Sequence, residues 1–319
     1  MDSPRDHEPS PSLSSDASAA PVDAEEAEEF DSAPQTPKFV FPILLFLATV
    51  FTTLWAGAYN TRSNPRIGPL DLLLQDPRSL VRGIPYAITL LTILLTHELG
   101  HYVYSRKHRV PATFPMFIPG FPHLIGTFGA VIRMRGPILS RKALFDIGVA
   151  GPIAGFLVAL PALVIGIKLS TVIHTQQAYG YQLGEPLIFQ FFSWLIIGPL
   201  PQGYEVLIHP VGLAAWFGLL VTSLNLLPIG QLDGGHVAYA LWGSRQRSMA
   251  LAMIPILLVL GLIGWSGWFV WVALAGFLGV GHPPVQDPEA VLGRKRIWVG
   301  RCALAIFVLS FTPIPISIY

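Results

Sequence analysis

The chain has little charge and almost no cysteine. Only 12% of its 319 residues are Asp, Glu, Lys or Arg, against about 25% in ordinary soluble domains, while 52% are hydrophobic. Cys302 is the only cysteine, which excludes an intrachain disulfide and thiolate ligation of a metal. The basic residues are scattered between apolar runs and form no stripe, so nothing indicates nucleic-acid binding. This composition indicates an integral membrane protein that crosses the bilayer several times.

The acidic residues are concentrated in the first part of the chain. Residues 1–38 carry ten of the 19 acidic side chains, against Arg5 and Lys38, and hardly any large apolar group. Such a segment cannot bury enough surface to offset the entropy lost on ordering, so we expect a disordered acidic tail. Residues 39–319 are expected to form a polytopic membrane domain.

Apolar stretches of about membrane length follow this tail. A helix needs ~20 apolar residues to cross a ~30 Å hydrocarbon core. Seven stretches approach that length, and a further run at 187–200 is short enough to be re-entrant or interfacial. We therefore expect an all-α polytopic membrane protein with about six to seven transmembrane helices. The stretches are 39–58, 83–104, 144–168, 208–228, 248–265, 267–281 and 297–318.

The distribution of Lys and Arg predicts the orientation. Basic residues between positions 106 and 142 place that segment in the cytoplasm by the positive-inside rule. Four arginines in the loop after the first span, at 62, 66, 78 and 82, lie on the opposite side and conflict with the rule. We expect a multi-pass protein of the plasma membrane in which the segment 106–142 faces the cytoplasm.

An HExxH motif lies inside the second apolar stretch, with His97, Glu98 and His101 in one helical turn. The two histidines share a helix face and can bind one metal, and Glu98 lies close enough to hydrogen-bond a water at that metal. Ionisable groups at membrane depth are costly and indicate function. The alternative is a buried polar cluster that holds helices together.

A catalytic zinc usually takes three protein ligands and leaves a fourth position open. The candidate third ligand is Asp233, which follows an apolar stretch and sits among turn residues. Pro228 breaks the helix, and Gly234 and Gly235 permit close backbone approach, so the chain can dip into the membrane and return. The same pattern fits Asp233 as the N-cap of a helix that starts near Gly235, and the local sequence favours neither role.

The segment near 110–138 begins with four prolines, at 111, 115, 119 and 122, that exclude a helix, followed by a strand-like run at 126–134. We expect a membrane-associated β-hairpin-like structure. Its exposed edge beside the metal could pair with an unwound substrate by β-addition, with Gly126 and Gly129 allowing close backbone contact. Alternatively, the hairpin only shields the site.

HELGH at 97–101, followed by N-x-x-P-x-x-x-x-D-G at 225–234, resembles the site-2 protease family of intramembrane zinc metalloproteases. The small residues at 148–155 resemble that family's third core helix. The resemblance covers about residues 83–243, which would form the protease core. It implies an enzyme that hydrolyses peptide bonds in or near transmembrane segments of single-span membrane proteins.

The resemblance also implies a role for each motif residue. His97, His101 and Asp233 would bind one Zn²⁺ per chain, and Glu98 would be the catalytic acid and base. Asn225 would lie near the metal, where it positions substrate or stabilises the oxyanion.

Three other functions would use some or all of these motif residues. A metal transporter should show several polar spans lining a path. A pseudoprotease that binds membrane segments without cutting should have lost Glu98 or a ligand. A zinc protease with a glutamate as third ligand has only Glu185, Glu205 and Glu289 after the motif, none in a suitable helical context.

The remaining histidines are mostly expected to be solvated. His108, His123, His174, His209 and His282 fall in loops or at the ends of spans. His236 lies close to the second motif, where it could support a ligand.

Overall fold

A computed structural model of the chain describes residues 40–62, 66–136, 138, 140–175, 181–283 and 285–318. The acidic segment 1–38 lies outside the described residues. Within them the chain forms helices α1 (Val40–Asn60), α2 (Pro69–Gln75), α3 (Ile84–Lys107), α4 (Arg141–Leu169), α5 (Leu187–Ile196), α6 (Pro210–Asn225), α7 (Asp233–Trp242), α8 (Arg245–Ile263), α9 (Trp268–Leu278) and α10 (Gly293–Ser310).

The described residues also form short antiparallel strand pairs. They are β1 (Met116–Pro119) with β2 (Thr127–Val131), β3 (Thr171–His174) with β5 (Tyr204–Leu207), and β4 (Tyr181–Leu183) with β6 (Ile316–Ile318). The expectation of an all-α protein is therefore incomplete. The pairs β3–β5 and β4–β6 join connections that are far apart in sequence, which no local pattern predicts.

Four helical segments of the described chain are long and apolar enough to cross a membrane. They are Val40–Asn60, Pro77–Lys107, Arg141–Leu169 and Arg245–Ile263, the second comprising a 3₁₀ segment (Pro77–Gly83) that leads into α3. The helices α5, α6 and α9 are apolar but shorter than a typical span. The chain is therefore a polytopic membrane protein.

The core of the fold is made by α3, α4 and α6, which pack against one another, with α7 on α4. Small residues allow the helix backbones to approach closely. A Cβ built on Gly100 of α3 would lie 2.6 Å from the carbonyl oxygen of Ala150 in α4. On α4, a Cβ built on Gly166 would lie 2.2 Å from Cα of Gly212 in α6. The close contact of α3 with α4 at Gly100 positions the HExxH residues of α3 against α4.

The β1–β2 pair is fixed to α1 and α3 by hydrogen bonds to its connecting loop. The Thr52 hydroxyl of α1 donates to the Gly126 carbonyl over 2.6 Å, and the Tyr86 hydroxyl of α3 donates to the Ile125 carbonyl over 2.9 Å. A Cβ on Gly126 would lie 2.5 Å from the Thr52 carbonyl oxygen, and its φ of +83° favours glycine. The pair is therefore held beside the helix that carries the HExxH motif.

Candidate metal centre

The two histidines of the motif point into the helical core. His97 and His101 are 3% and 6% exposed, and their Nε2 atoms are 3.2 Å apart. They lie in the α-helix α3 at a spacing of four residues, which puts both rings on one face. The structure thus places the pair as the sequence predicts.

Asp233 joins the two histidines from another helix. Its Oδ2 atom lies 3.2 Å from Nε2 of His97 and 3.2 Å from Nε2 of His101. Asp233 is the first residue of α7, and Leu232 is the N-cap, so the Asp233 side chain does not cap the helix. The Asp233 carboxylate therefore lies against the two histidines and makes no cap hydrogen bond.

The three atoms fit a tetrahedral zinc site. His97, His101 and Asp233 are the one group of metal-ligating side chains found among the described residues. Zinc bonds of about 2.0–2.1 Å in tetrahedral geometry separate neighbouring ligand atoms by about 3.3 Å. The observed sides of the triangle, all 3.2 Å, match that separation. Two imidazole nitrogens and one carboxylate oxygen leave a fourth position for water.

The tautomer of His101 is set by the backbone of α4. Its Nδ1 lies 2.7 Å from the carbonyl oxygen of Ile147, which can only accept, so Nδ1 carries the proton. Nε2 therefore presents its lone pair towards His97 and Asp233. Support of this kind orients metal-binding histidines and raises their basicity.

Glycines of α4 make room for the histidine rings. A Cβ built on Gly151 would overlap Nε2 of His101, and one on Gly155 would lie 3.2 Å from Cβ of His97. A Cβ on Gly148 would lie 2.8 Å from Cβ of His236. The 148–155 run thus supplies space for side chains of the site as well as contact between helices.

Glu98 is buried at 8% exposure next to the two histidines. Its carboxylate faces the backbone N–H of Ile132, directly after β2. The carboxylate therefore lies between the metal ligands on α3 and the extended chain that leaves the β1–β2 pair.

Asn225 ends α6 close to the triangle. Its Nδ2 lies 3.3 Å from Nε2 of His97. The structure therefore brings Asn225 to the site, as the resemblance implies.

Gly126 and Gly129 lie in the β1–β2 hairpin. Gly126 packs on α1, while Gly129, with φ +105°, has no atom within 4 Å of a Cβ built on it. The residue of this segment that faces Glu98 is Ile132, directly after β2, and it does so through its backbone N–H.

Comparison with known proteins decides the family. The model of peptidase family M50 matches residues 85–263, more than half of the chain and including every residue of the triangle. The chain belongs to this family. It is thus a member of the site-2 protease family.

Curated relatives in plants agree with this membership. The chain is 32% identical over 228 residues to "Probable zinc metalloprotease EGY1, chloroplastic" of Oryza sativa subsp. japonica, covering 65% of this chain and 38% of the relative. It is 28% identical over 242 residues to the corresponding EGY2 protein of Arabidopsis thaliana, covering 74% and 42%. The chain spans less than half the length of these two relatives.

Two sets of polar contacts in this M50 chain join α4 to neighbouring helices, and the sequence did not predict them. The Arg141 guanidinium donates to the carbonyls of Ala240 and, over 2.9 Å, Leu241 in the last turn of α7. Asp146 accepts from Arg296 of α10 over 2.8 and 2.7 Å, and His108 lies 2.8 Å from the same carboxylate. The expectation that His108 is merely solvated is wrong, because its partner comes from another helix.

His282 also differs from the expectation of a solvated loop residue. Its Nε2 lies 2.7 Å from Nδ1 of His236, and its ring stacks on Tyr239. Burial lowers the pKa of His236 to about 4 and that of His282 below its ordinary value, so both rings are neutral near pH 7. Because His236 lies in the first turn of α7, this pair supports the helix that presents Asp233.

Proposed function

We propose that the chain is an intramembrane zinc metalloprotease that hydrolyses peptide bonds in or near transmembrane segments of single-span membrane proteins. The observation that carries this proposal is the 3.2 Å triangle that Asp233 of α7 forms with His97 and His101, two residues of the membrane-length segment 77–107 that also carries Glu98. A pseudoprotease is disfavoured because all four groups are present and converge.

His97, His101 and Asp233 hold the metal in this proposal, one Zn²⁺ per chain. Zinc, when bound, supplies the Lewis acidity that polarises a peptide carbonyl and activates water at neutral pH. Two neutral imidazoles and one carboxylate leave the site with a net charge of about +1, so this Lewis acidity is retained.

Glu98 acts as the general base and then as the general acid. It takes a proton from the attacking water and delivers that proton to the leaving amine. Glu98 follows His97 in sequence, and its buried carboxylate faces the backbone N–H of Ile132. Asn225, 3.3 Å from His97, donates its amide N–H to the oxygen that gains negative charge in the transition state.

The free edge of the β1–β2 pair receives the substrate. A transmembrane helix must unwind before its peptide bonds can be cut, and an unwound segment needs partners for its backbone groups. In strand β2 and its continuation, Arg133 bonds to Thr113 on one side while the Ile132 N–H faces Glu98 on the other. A substrate strand at this edge, passing Gly126 and Gly129, lies beside the catalytic residues.

The membrane arrangement that accompanies this function has seven spans. Six of the expected stretches overlap α1, α3, α4, α6, α8 and α9, while the seventh, 297–318, overlaps α10 only as far as residue 310 and ends in β6. The short helices α6 and α9 then cross within the bundle. The basic residues at the end of α3 and before α4 place the opening of the site towards the cytoplasm, in the plasma membrane of the cell.

The experiment is cleavage of a single-span substrate in liposomes by native protein, by Glu98→Gln and by native protein treated with 1,10-phenanthroline. We expect cleavage by native protein alone, recovery when zinc is returned to the chelated protein, and full zinc content in Glu98→Gln. Zinc bound at one ion per chain without cleavage of any transmembrane segment would favour the pseudoprotease. Lack of bound zinc would overturn the site itself.

A further inference from the structure

The chain that leaves β2 passes the metal centre as an extended segment. The Arg133 N–H donates to the Thr113 hydroxyl over 2.9 Å, and the Arg133 carbonyl accepts from the Thr113 N–H over 3.0 Å. Two residues on, the Arg135 N–H donates to the Pro111 carbonyl over 2.8 Å. The backbone groups of both arginines are thus directed to the strand-like partner at 111–113.

The alternation of an extended chain places the two arginines together. Side chains two residues apart lie on one face, about 6.6–7 Å from each other. Arg133 and Arg135 are both exposed and, with Met134 and Gly136, line an open groove of about 620 Å³. Ile132, which faces Glu98, immediately precedes this groove, so it adjoins the proposed path of the substrate.

The groove carries a double positive charge. Among the residues that the structure describes, no acidic side chain forms an ion pair with Arg133 or Arg135. A guanidinium is planar and presents two parallel N–H donors that match the two oxygens of a carboxylate. Two exposed arginines on one face of the segment therefore favour the binding of acidic side chains.

We infer that Arg133 and Arg135 select substrates that carry Asp or Glu next to the cleaved bond, on the side where the chain leaves the membrane. This inference rests on the proposed function and names its substrate class. Transmembrane segments usually carry Lys and Arg at their cytoplasmic ends. The two arginines therefore repel ordinary spans and admit the minority with an acidic flank.

The test uses single-span substrates in neutral phosphatidylcholine liposomes that differ only in three residues flanking the cleaved bond, which are acidic, Gln or Lys. Native protein should cut the acidic substrate with the highest kcat/KM and the Lys substrate with the lowest. Exposed ion pairs contribute at most ~1 kcal/mol, so each arginine should account for about threefold to fivefold. Arg133→Gln and Arg135→Gln should each lose that factor for the acidic substrate only.

The charge reversal is the decisive variant. Arg133→Glu combined with Arg135→Glu should invert the order, so that the Lys substrate is cut fastest. Lys142→Glu, a reversal at another exposed basic position nearby, should keep the native order. Equal loss on all three substrates would overturn the inference and assign the arginines to folding. An effect that appears only when anionic lipid is added would overturn it in favour of headgroup binding.

Binding measurements separate this inference from the proposed function. The same three substrates, fluorescently labelled, are titrated onto Glu98→Gln protein in the same liposomes. Preferential binding of the acidic substrate supports the inference even if native protein cuts none of them, which would contradict only the protease. Binding that is indifferent to the flank, together with charge-independent cleavage, overturns the inference and leaves the protease intact.

Discussion

Gly151 of α4 occupies the space beside Nε2 of His101, and a methyl group at that position would overlap the nitrogen that faces Asp233. Nε2 is the atom of His101 that is free to bind metal, because Nδ1 is bonded to Ile147. The absence of a side chain at residue 151 is therefore a condition for the triangle of His97, His101 and Asp233.

Gly151→Ala should abolish or strongly weaken zinc binding. The added methyl must displace the His101 ring, and disturbance of the shell around a ligand costs about 10–100-fold in metal affinity. Zinc content after dialysis against a competing chelator measures the effect. Gly276→Ala on α9, where no atom lies within 4 Å of the new methyl, is the matched control and should retain zinc. Native zinc affinity in Gly151→Ala would show that Nε2 of His101 is not a ligand.

Asn225→Ala should lower kcat about 100-fold to 1,000-fold while zinc stays bound. This is the usual cost of removing one hydrogen-bond donor to the developing oxyanion. Cleavage kinetics and zinc content are measured on the same preparation. Ser223→Ala, which removes a buried hydroxyl bonded to Leu220 within α6, controls for general loss of polarity and should change kcat little. Loss of zinc in Asn225→Ala would instead make Asn225 a support for His97.

Arg141→Gln should reduce zinc affinity about tenfold, although residue 141 does not contact the metal. The guanidinium holds the last turn of α7 through the Ala240 and Leu241 carbonyls, and α7 presents Asp233 from its first turn. An outer contact that orients a ligand has effects of this size. Zinc competition titrations on Arg141→Gln, Arg141→Lys and the neighbouring control Lys142→Gln measure it.

In the Arg141 series we expect zinc affinity to decrease from native protein to Arg141→Lys to Arg141→Gln. Lysine keeps the positive charge, but its single ammonium group cannot bind two carbonyls in a fixed geometry. Lys142→Gln should match native protein. Equal zinc affinity for all four proteins would show that the position of Asp233 does not depend on the far end of α7.

The grouping of His97 and His101 was predictable because their side chains carry the signal themselves. His97 and His101 are four residues apart in an apolar helix, and that spacing alone puts both on one face. Asp233 could not be decided locally, since aspartate at the start of a helix is also a good cap. Only the position of α7 against α4, with Leu232 as the N-cap, brings the carboxylate to both histidines.

The contacts that escaped prediction depend on backbone groups or distant partners. The acceptors of Arg141 are carbonyls about 100 residues away, and every residue has a carbonyl, so no residue type marks them. Ile132 faces Glu98 through its backbone N–H, a group that every residue except proline has, so the residue type does not mark this contact either. His108 and His282 looked solvated because their partners, Asp146 and His236, lie 38 and 46 residues away.

Asp146→Asn should loosen α10 from the core and lower the free energy of unfolding by about 1–3 kcal/mol, the range for a charged hydrogen bond that is mostly removed from water. The Asp146 carboxylate, 13% exposed, binds Arg296 through both oxygens and lies 2.8 Å from His108. Asparagine keeps the shape but loses the charge and one acceptor. Thermal denaturation in a single detergent measures the change, with Lys295→Gln on the exposed side of α10 as the control.

A double-mutant cycle with Arg296→Gln isolates the pair. If the two residues stabilise the protein through each other, the double variant should be little less stable than Asp146→Asn alone. Because Ile147, next in sequence, binds His101 through its carbonyl, zinc affinity should fall in parallel with stability. Additive losses, or an unchanged melting temperature in Asp146→Asn, would contradict the role of this ion pair in holding α10 against α4.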